Sequence, residues 1–511
     1  MAGLASRRSQ PRAVLIAVVW LWCLAYVHCM QEPPEGTTFS VQRARSLTDG
    51  PIGRTLLQFA SPILGMNVLQ YIGGTVNVFW VGRYLGEAAL TAVVNAQSIM
   101  FLLTGAAFGI AGAATIMVGQ CVGAGNVTEA KRVVGTGAIL FLVLSALMSI
   151  AGVVLAKPLL IAMKTTGEAL ALAVTYTKVM FLALPILYLN LYVISILLGT
   201  GDSKSPLWFI VLSAVMVAVL SPLCMFGVGP LQGAGIAGSA FTILVSQAAS
   251  LGALVAHLYR RRNPLCLYQE DLALLRVDWS VVGMLVRKGI PMGAQVVVVS
   301  FSAVLMIVLV NRFGVDTTAA YGASMQLWMY VQLPALSIAA AVSTMAAQSV
   351  GAQNMRRVRD VGRLGVMLCV IVTGLIILLV YAADSYAYRL FLPEGSGAFP
   401  IASHLNRVVL WSFMFLVAAM VLFGIVRATG AVMAPLFIHG LSLLGVRFPL
   451  ALLLIDEWQA DAIWWSFSIS CAFDFLLAAL YYRYGGWRAA AKLAMVARLR
   501  RATSKDSART L

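Results

Sequence analysis

The chain has 511 residues, 61% hydrophobic and only 11% charged, with a formal net charge of +17. A soluble domain of this size cannot be that apolar, and runs of at least about 18 apolar residues recur from Gly53 to Tyr482, each long enough to cross a bilayer. The fold class is an all-α polytopic membrane protein, since the short alternating segments of a membrane β-barrel are absent.

Residues 1–45 form an N-terminal extension in which Arg7, Arg8 and Arg12 precede the apolar run Ala13–Val27, as in a signal peptide. Export would place Arg43, Arg45 and Arg54 outside, against the topology below. Either the true start is Met30 or the segment is an accessory helix; the first is favoured, because the stretch from Met30 reads as a cytoplasmic leader.

Twelve spans follow. In the first lobe (46–259) they fall near 55–81, 88–118, 131–156, 169–198, 205–227 and 235–258. A basic cytoplasmic linker (260–280) carries Arg260, Arg261, Arg262 and Arg276. The second lobe (281–485) gives spans near 281–310, 317–349, 358–382, 402–428, 432–455 and 461–483, and a basic tail (486–511) closes the chain. With both termini cytoplasmic, about 25 Lys and Arg residues fall inside and about six outside (Arg83, Lys157, Lys164, Arg312, Arg389, Arg407), as the positive-inside rule requires. Bilayer topology thus accounts for the basic charge, and no nucleic acid is expected. The seven cysteines stand singly, without metal or disulfide spacing, so no metal is expected.

One motif occurs twice. Gln120-Cys-Val-Gly-Ala-Gly-Asn126 is echoed by Gln348-Ser-Val-Gly-Ala-Gln-Asn354, each ending an apolar run and followed by basic residues. Gly123 and Gly351 are expected to allow a tight turn. Asn126 is expected to cap the next helix, with Glu129 completing a capping box. The echo extends to Pro62 and Pro291, Arg83 and Arg312, Glu87 and Asp316, Gln97 and Gln326, Thr200-Gly201 and Thr429-Gly430, Pro206 and Pro435, and Pro222 and Pro449. A period of about 228 residues means a duplicated half-protein. With six spans per half the copies share one orientation, giving two six-helix lobes related by a parallel pseudo-two-fold repeat, with substrate between them near mid-membrane.

At this point the chain resembles a known family. The segment Leu47-Thr-Asp-Gly-Pro-Ile-Gly-Arg-Thr-Leu-Leu-Gln-Phe-Ala-Ser-Pro62, the duplicated Gln-x-x-Gly-Ala-x-Asn loop, Arg427-Ala-Thr-Gly430 and Arg447-Phe-Pro-Leu450 resemble the multidrug and toxic compound extrusion (MATE) transporters over about residues 46–485. The resemblance implies a V-shaped pair of bundles that exports drugs and organic cations by exchange for protons or sodium ions, with alternating access. The implied partners are a small-molecule substrate, a proton or sodium ion and the lipid bilayer. The chain is expected to act as a monomer in a bacterial inner membrane, without a cofactor. The sequence departs from the family at its acids. Asn77 stands where bacterial members carry a first-span aspartate, Ser221 where a fifth-span Asn-x-x-Leu-Asp-Pro would place one, and Gln295 to Ser300 and Leu416 where one branch has acids. The coupling ion is thereby left open.

A charge at the centre of a span costs a few kcal/mol and needs a reason. Asp474 lies inside the twelfth span and Arg447 inside the eleventh, at depths about 5 Å apart counted at about 1.5 Å per residue from the outer face. A buried Arg447–Asp474 pair is predicted, serving either packing or an exchange of partners during transport. Lys178 either snorkels outward or lines the cavity, and His439 is either an ordinary hydrogen-bonded side chain or a proton carrier. Asn77, Gln97, Ser221, Gln295, Ser300 and Gln326 either bond between helices or line the passage. Glu87 and Asp316 are accounted for by helix starts. No Walker loop occurs, and the outer acids Asp456, Glu457 and Asp461 show no histidine partners in the sequence, so an enzyme is not expected. The remaining alternative keeps the fold and changes the cargo to a lipid-linked or other endogenous metabolite.

Overall fold

The computed structural model describes residues 47–163, 165, 167–228, 231–268, 277–383 and 396–488. The N-terminal extension, Lys164, Arg276, Arg389 and the basic tail beyond Arg488 lie outside the described residues.

Helix α1 runs Ile52–Gly123, α2 Val127–Ala162, α3 Gly167–Thr200, α4 Lys204–Phe226 and α5 Gly235–Arg260. A two-residue ribbon, β1 (Gly227–Val228) with β2 (Leu231–Gln232), joins α4 to α5. The second half comprises α6 (Trp279–Val310), α7 (Val315–Gly351), α8 (Met355–Ala382), α9 (Ala398–Val409), α10 (Phe413–Ala428), α11 (Met433–Gly440), a π turn over Leu441–Arg447, α12 (Phe448–Trp458) and α13 (Ala460–Tyr484).

Among the described residues, eleven helical stretches are long and apolar enough to cross a membrane. The first, α1, has 72 residues, about 108 Å of helix against a core of about 30 Å. It breaks at Gly86, whose φ of 84° and ψ of −179° are outside helical space. On either side of that break α1 is long enough to cross a bilayer. The same break recurs between α6 and α7, where Gly314 has φ 93° and ψ 179°. Two glycines, each between the matching arginine and acid of its half (Arg83 and Glu87, Arg312 and Asp316), thus take one conformation that L side chains rarely adopt.

The halves trade ends. Leu56, Phe59, Ile63 and Met66 at the start of α1 bury themselves among Ala335–Ala347 of α7 and Val417–Val426 of α10. Val281 and Leu285 at the start of α6 enter the apolar cluster built from α1, α2 and α3. Glycine permits the closest approach, since a side chain on Gly109 would overlap the backbone of Gly289 and Gly293. At the helix starts, Arg132 of α2 pairs with Asp278 at 3.3 Å. Correspondingly, Arg357 of α8 donates to the carbonyls of Leu47, Asp49 and Gly50, each at 3.1 Å.

The duplicated loops are built as their caps predict, with two corrections. Asn126 Oδ1 accepts from the Glu129 N–H at 3.0 Å, and Asn354 Oδ1 from the Arg357 N–H at 2.9 Å. The reciprocal half of the capping box is not made, for the Glu129 carboxylate turns to Arg132 at 3.7 Å. Nor do Gly123 and Gly351 make the turn. Gly125 (φ 71°) and Gln353 (φ 62°) do so, while Gly123 and Gly351 remain helical and lie at the seam.

Candidate functional site

At the loop end, the motif glutamines cross between the halves. Gln120 Nε2 donates to the Ala428 carbonyl at the end of α10 at 2.6 Å, and Gln348 Nε2 to the Gly199 carbonyl at the end of α3 at 2.9 Å. Both side chains are buried. A side chain on Gly123 would overlap the Gln348 carbonyl, and one on Gly351 the Gln120 carbonyl. The seam continues inward through Asn67 Nδ2, which donates to Ser337 Oγ at 3.1 Å.

The interior of the first half holds an uncharged polar cluster. Asn77 is 2% exposed and its Oδ1 accepts from Ser239 Oγ at 2.7 Å, with Tyr176 beside it. Asn77 Nδ2, Thr177 Oγ1 and Ser221 Oγ are buried without a hydrogen-bond partner. Further along the same two helices, α3 and α5, Asn190 Nδ2 donates to Gln247 Oε1. Tyr176, Ser239 and this Asn190–Gln247 bridge escape sequence reasoning, because each is an ordinary polar residue in an apolar run.

The second half differs. Among the described residues Asp474 is the only carboxylate more than two turns from a helix end or from the break at Gly86, and it is 2% exposed. Its partner is His439, whose Nδ1 lies 3.0 Å from Asp474 Oδ2. The predicted Arg447–Asp474 pair is therefore not formed. Arg447 Nε instead donates to Ser470 Oγ at 2.8 Å, its Nη2 to Cys471 Sγ at 3.7 Å, and its guanidinium lies 3.9 Å from the centre of the Phe467 ring. The physical reason is register. Residues 467, 470, 471 and 474 share one face of α13, and the antiparallel neighbour meets them in reverse order, His439 at Asp474 and Arg447 towards Phe467. The π turn over Leu441–Arg447 breaks the regular count on which the predicted pairing rested. Asp474 Oδ1 remains buried and without a hydrogen-bond partner. The His439 side chain is 12% exposed and packs edge-on against Phe423, with ring centroids 6.0 Å apart.

The other predicted residues scatter. Gln295 Oε1 accepts from Arg427 Nη1 at 3.3 Å, and Ser300 Oγ donates to its own helix at Val296. Gln97, Gln326 and Lys178 are exposed. Towards the other end of the second half, Tyr321 stacks on Trp464, and Trp328 Nε1 donates to Asn406 Oδ1 at 2.8 Å. Asp461, which the sequence left without a histidine partner, pairs with His404 at 2.9 Å on an exposed surface. It forms no larger cluster, and no group of three metal-ligating side chains occurs among the described residues.

Repeated helical halves, caps shared by the copies and a histidine–aspartate pair inside one of them define a multi-pass membrane transporter. The MatE family profile matches residues 62–223 and 291–453, once in each half, and the chain belongs to that family. It is 32% identical over 435 residues to the probable multidrug resistance protein YoeA of Bacillus subtilis, covering 85% of this chain and 94% of that one. It is 24% identical over 315 residues to a FAD transporter of Shewanella oneidensis, covering 61% and 69%. Among solved structures, an outward-facing multidrug resistance MATE transporter of the MOP superfamily superposes with a TM-score of 0.81 at 18% identity, covering 90% of this chain and all of that one. A Pyrococcus furiosus MOP superfamily transporter, described by the reverse polarity of its binding pocket, superposes at 0.80 with 18% identity, covering 89% of this chain and all of that one.

Proposed function

We propose that the chain is a proton-coupled exporter of drug-like small molecules, with access alternating between two six-helix lobes and the His439–Asp474 pair carrying the proton. The observation behind this is the partner of Asp474. An arginine would hold a buried carboxylate permanently ionised, whereas histidine is the side chain whose charge changes between about pH 5 and 8. The unpaired Asp474 Oδ1 leaves one oxygen free to take a proton. The adjoining π turn offers a place where α11 and α12 can change register against α13, in keeping with the frequent use of such turns at functional sites. A multidrug cargo rests on the relatives named for multidrug resistance. With the basic loop end in the cytoplasm, as the positive-inside rule expects, both termini are cytoplasmic and the seam described above closes the passage from inside. Gln97 and Gln326 would then face the outward cleft, because an exposed amide is poorly placed against lipid.

A second cargo class is favoured by Arg447, a buried cation held by a serine, a thiol and a ring rather than by a carboxylate. An anionic or zwitterionic metabolite would complement it, and a relative named as a FAD transporter lends that cargo class support. Efflux from proteoliposomes under separate proton and sodium gradients tests both. Export of a cationic dye driven by protons alone, and lost in Asp474→Asn, is expected. Efflux requiring neither gradient, or full activity of Asp474→Asn at normal abundance, overturns the coupling.

A further inference from the structure

We infer that Gln120 and Gln348 are a two-fold clasp that sets the balance between the two open states, acting as positioning residues of the transport cycle; this rests on the alternating access proposed above. Each glutamine ends the second span of its half and reaches the last turn of the fourth span of the other half. The acceptors, Ala428 and Gly199, occupy matching places one residue before the paired Thr429-Gly430 and Thr200-Gly201. A carbonyl in the last turn of a helix has no N–H within the helix to satisfy it. The clasp therefore fills a vacancy that each half presents to the other.

The motif glycines serve the same contact. Gly123 lies against the backbone carbonyl of Gln348, and Gly351 against that of Gln120, so neither position has room for a side chain while the seam is shut. The spacing Gln-x-x-Gly thus encodes a donor and, one turn later, the clearance that lets the opposite donor approach. Local turn chemistry does not account for it, since Gly125 and Gln353 take the positive φ angles.

The strength suits a gate rather than a weld. Neutral hydrogen bonds contribute about 1 kcal/mol net each, and water can replace the carbonyl partner when the seam parts. Gln348 Oε1 is buried without a hydrogen-bond partner while the clasp is closed, which lowers the cost of release. A buried ion pair would leave two bare charges on opening. Amides leave none.

The test uses full-length protein in nanodiscs, with native cysteines replaced by serine in a background that retains efflux. One pair of spin labels goes at the exposed loop residues Ala124 and Ala352, and another at Tyr84 and Val315 at the opposite end. Gln120→Met and Gln348→Met keep the shape of the side chain and remove the donor. Each is expected to raise the population with a long loop-end distance about fivefold, and the pair about twenty-five-fold. The Tyr84–Val315 distance should shorten in step. If the double variant does not fold, either single variant gives the same reading. An unchanged loop-end distribution in a folded variant, while a proton gradient still shifts it in the parent, overturns the clasp and leaves alternating access standing. Distances that no gradient or substitution moves overturn both.

Discussion

Asn126 and Asn354 share φ values of −94° and ψ values of 83° and 76°, and Gly86 and Gly314 share a break that differs by only a few degrees. Inside the halves the likeness stops. Where the first carries Asn77, Tyr176, Ser221 and Ser239, all neutral, the second buries Arg447 and Asp474 and half-buries His439. Residues that touch the other copy are held by two surfaces at once, so a change in one half must be answered in its twin. Interior residues answer only to their own bundle and are free to diverge. The two halves thus share the glycine break and the seam, while their interiors carry different polar side chains.

The largest effect should come from separating His439 and Asp474. His439→Leu leaves Asp474 buried without its partner, at a cost of about 3–5 kcal/mol. Removing both, in His439→Leu/Asp474→Leu, should recover most of that loss in a thermal melt while still abolishing proton-driven efflux. A double variant as unstable as the sum of the singles would mean that the two residues act independently, and the second interior would then be no more specialised than the first.

How much of this the sequence discloses depends on the distance over which each feature is determined. The caps at Asn126 and Asn354 and the basic residues after them are local, and their chemistry is legible within a few positions. The clasp partners are 308 and 149 residues away, so the motif shows that Gln120 and Gln348 matter without showing what they hold. Asp474 stands out because a carboxylate inside a span is costly. Its partner could not be read off by counting 1.5 Å per residue, because the π turn before Arg447 alters the register. Ser239 and Tyr176 carry no signal, since serines and tyrosines in spans are common.

Substitutions at the seam should act alike in both halves. Gly123→Ala and Gly351→Ala each force a Cβ into the opposite glutamine's carbonyl, and overpacking of this kind costs about 1–3 kcal/mol. Thermal stability of the two variants should agree closely. A large loss in one and none in the other would show that the closed seam is not reciprocal. The neutral interior predicts less. Asn77→Val removes the acceptor for Ser239 and should cost about 1–2 kcal/mol, with proton-driven efflux retained. Loss of efflux there would return the first half to the coupling machinery.

The smallest expected effect separates the two braces outside the seam. Asp278 caps α6 and holds Arg132, whereas Arg357, in the first turn of α8, is held by backbone carbonyls. The Ser280 hydroxyl at 2.7 Å, ahead of the Ser280 N–H and Arg132, holds the Asp278 carboxyl below the usual carboxylate range. A depressed folded-state pKa contributes stability that is present above the unfolded value, about 3.9, and is lost as pH falls through the folded one. Asp278→Asn keeps a capping oxygen and removes only the charge, so the parent should exceed it by about 0.5 kcal/mol at neutral pH. That margin should vanish as the pH is lowered below about 4. Asp49→Asn should cost less at neutral pH, because Arg357 keeps its three carbonyl acceptors when the Asp49 charge is gone. Equal losses at the two positions in a thermal melt would show that charge, rather than the geometry of the acceptors, braces both halves in the same way.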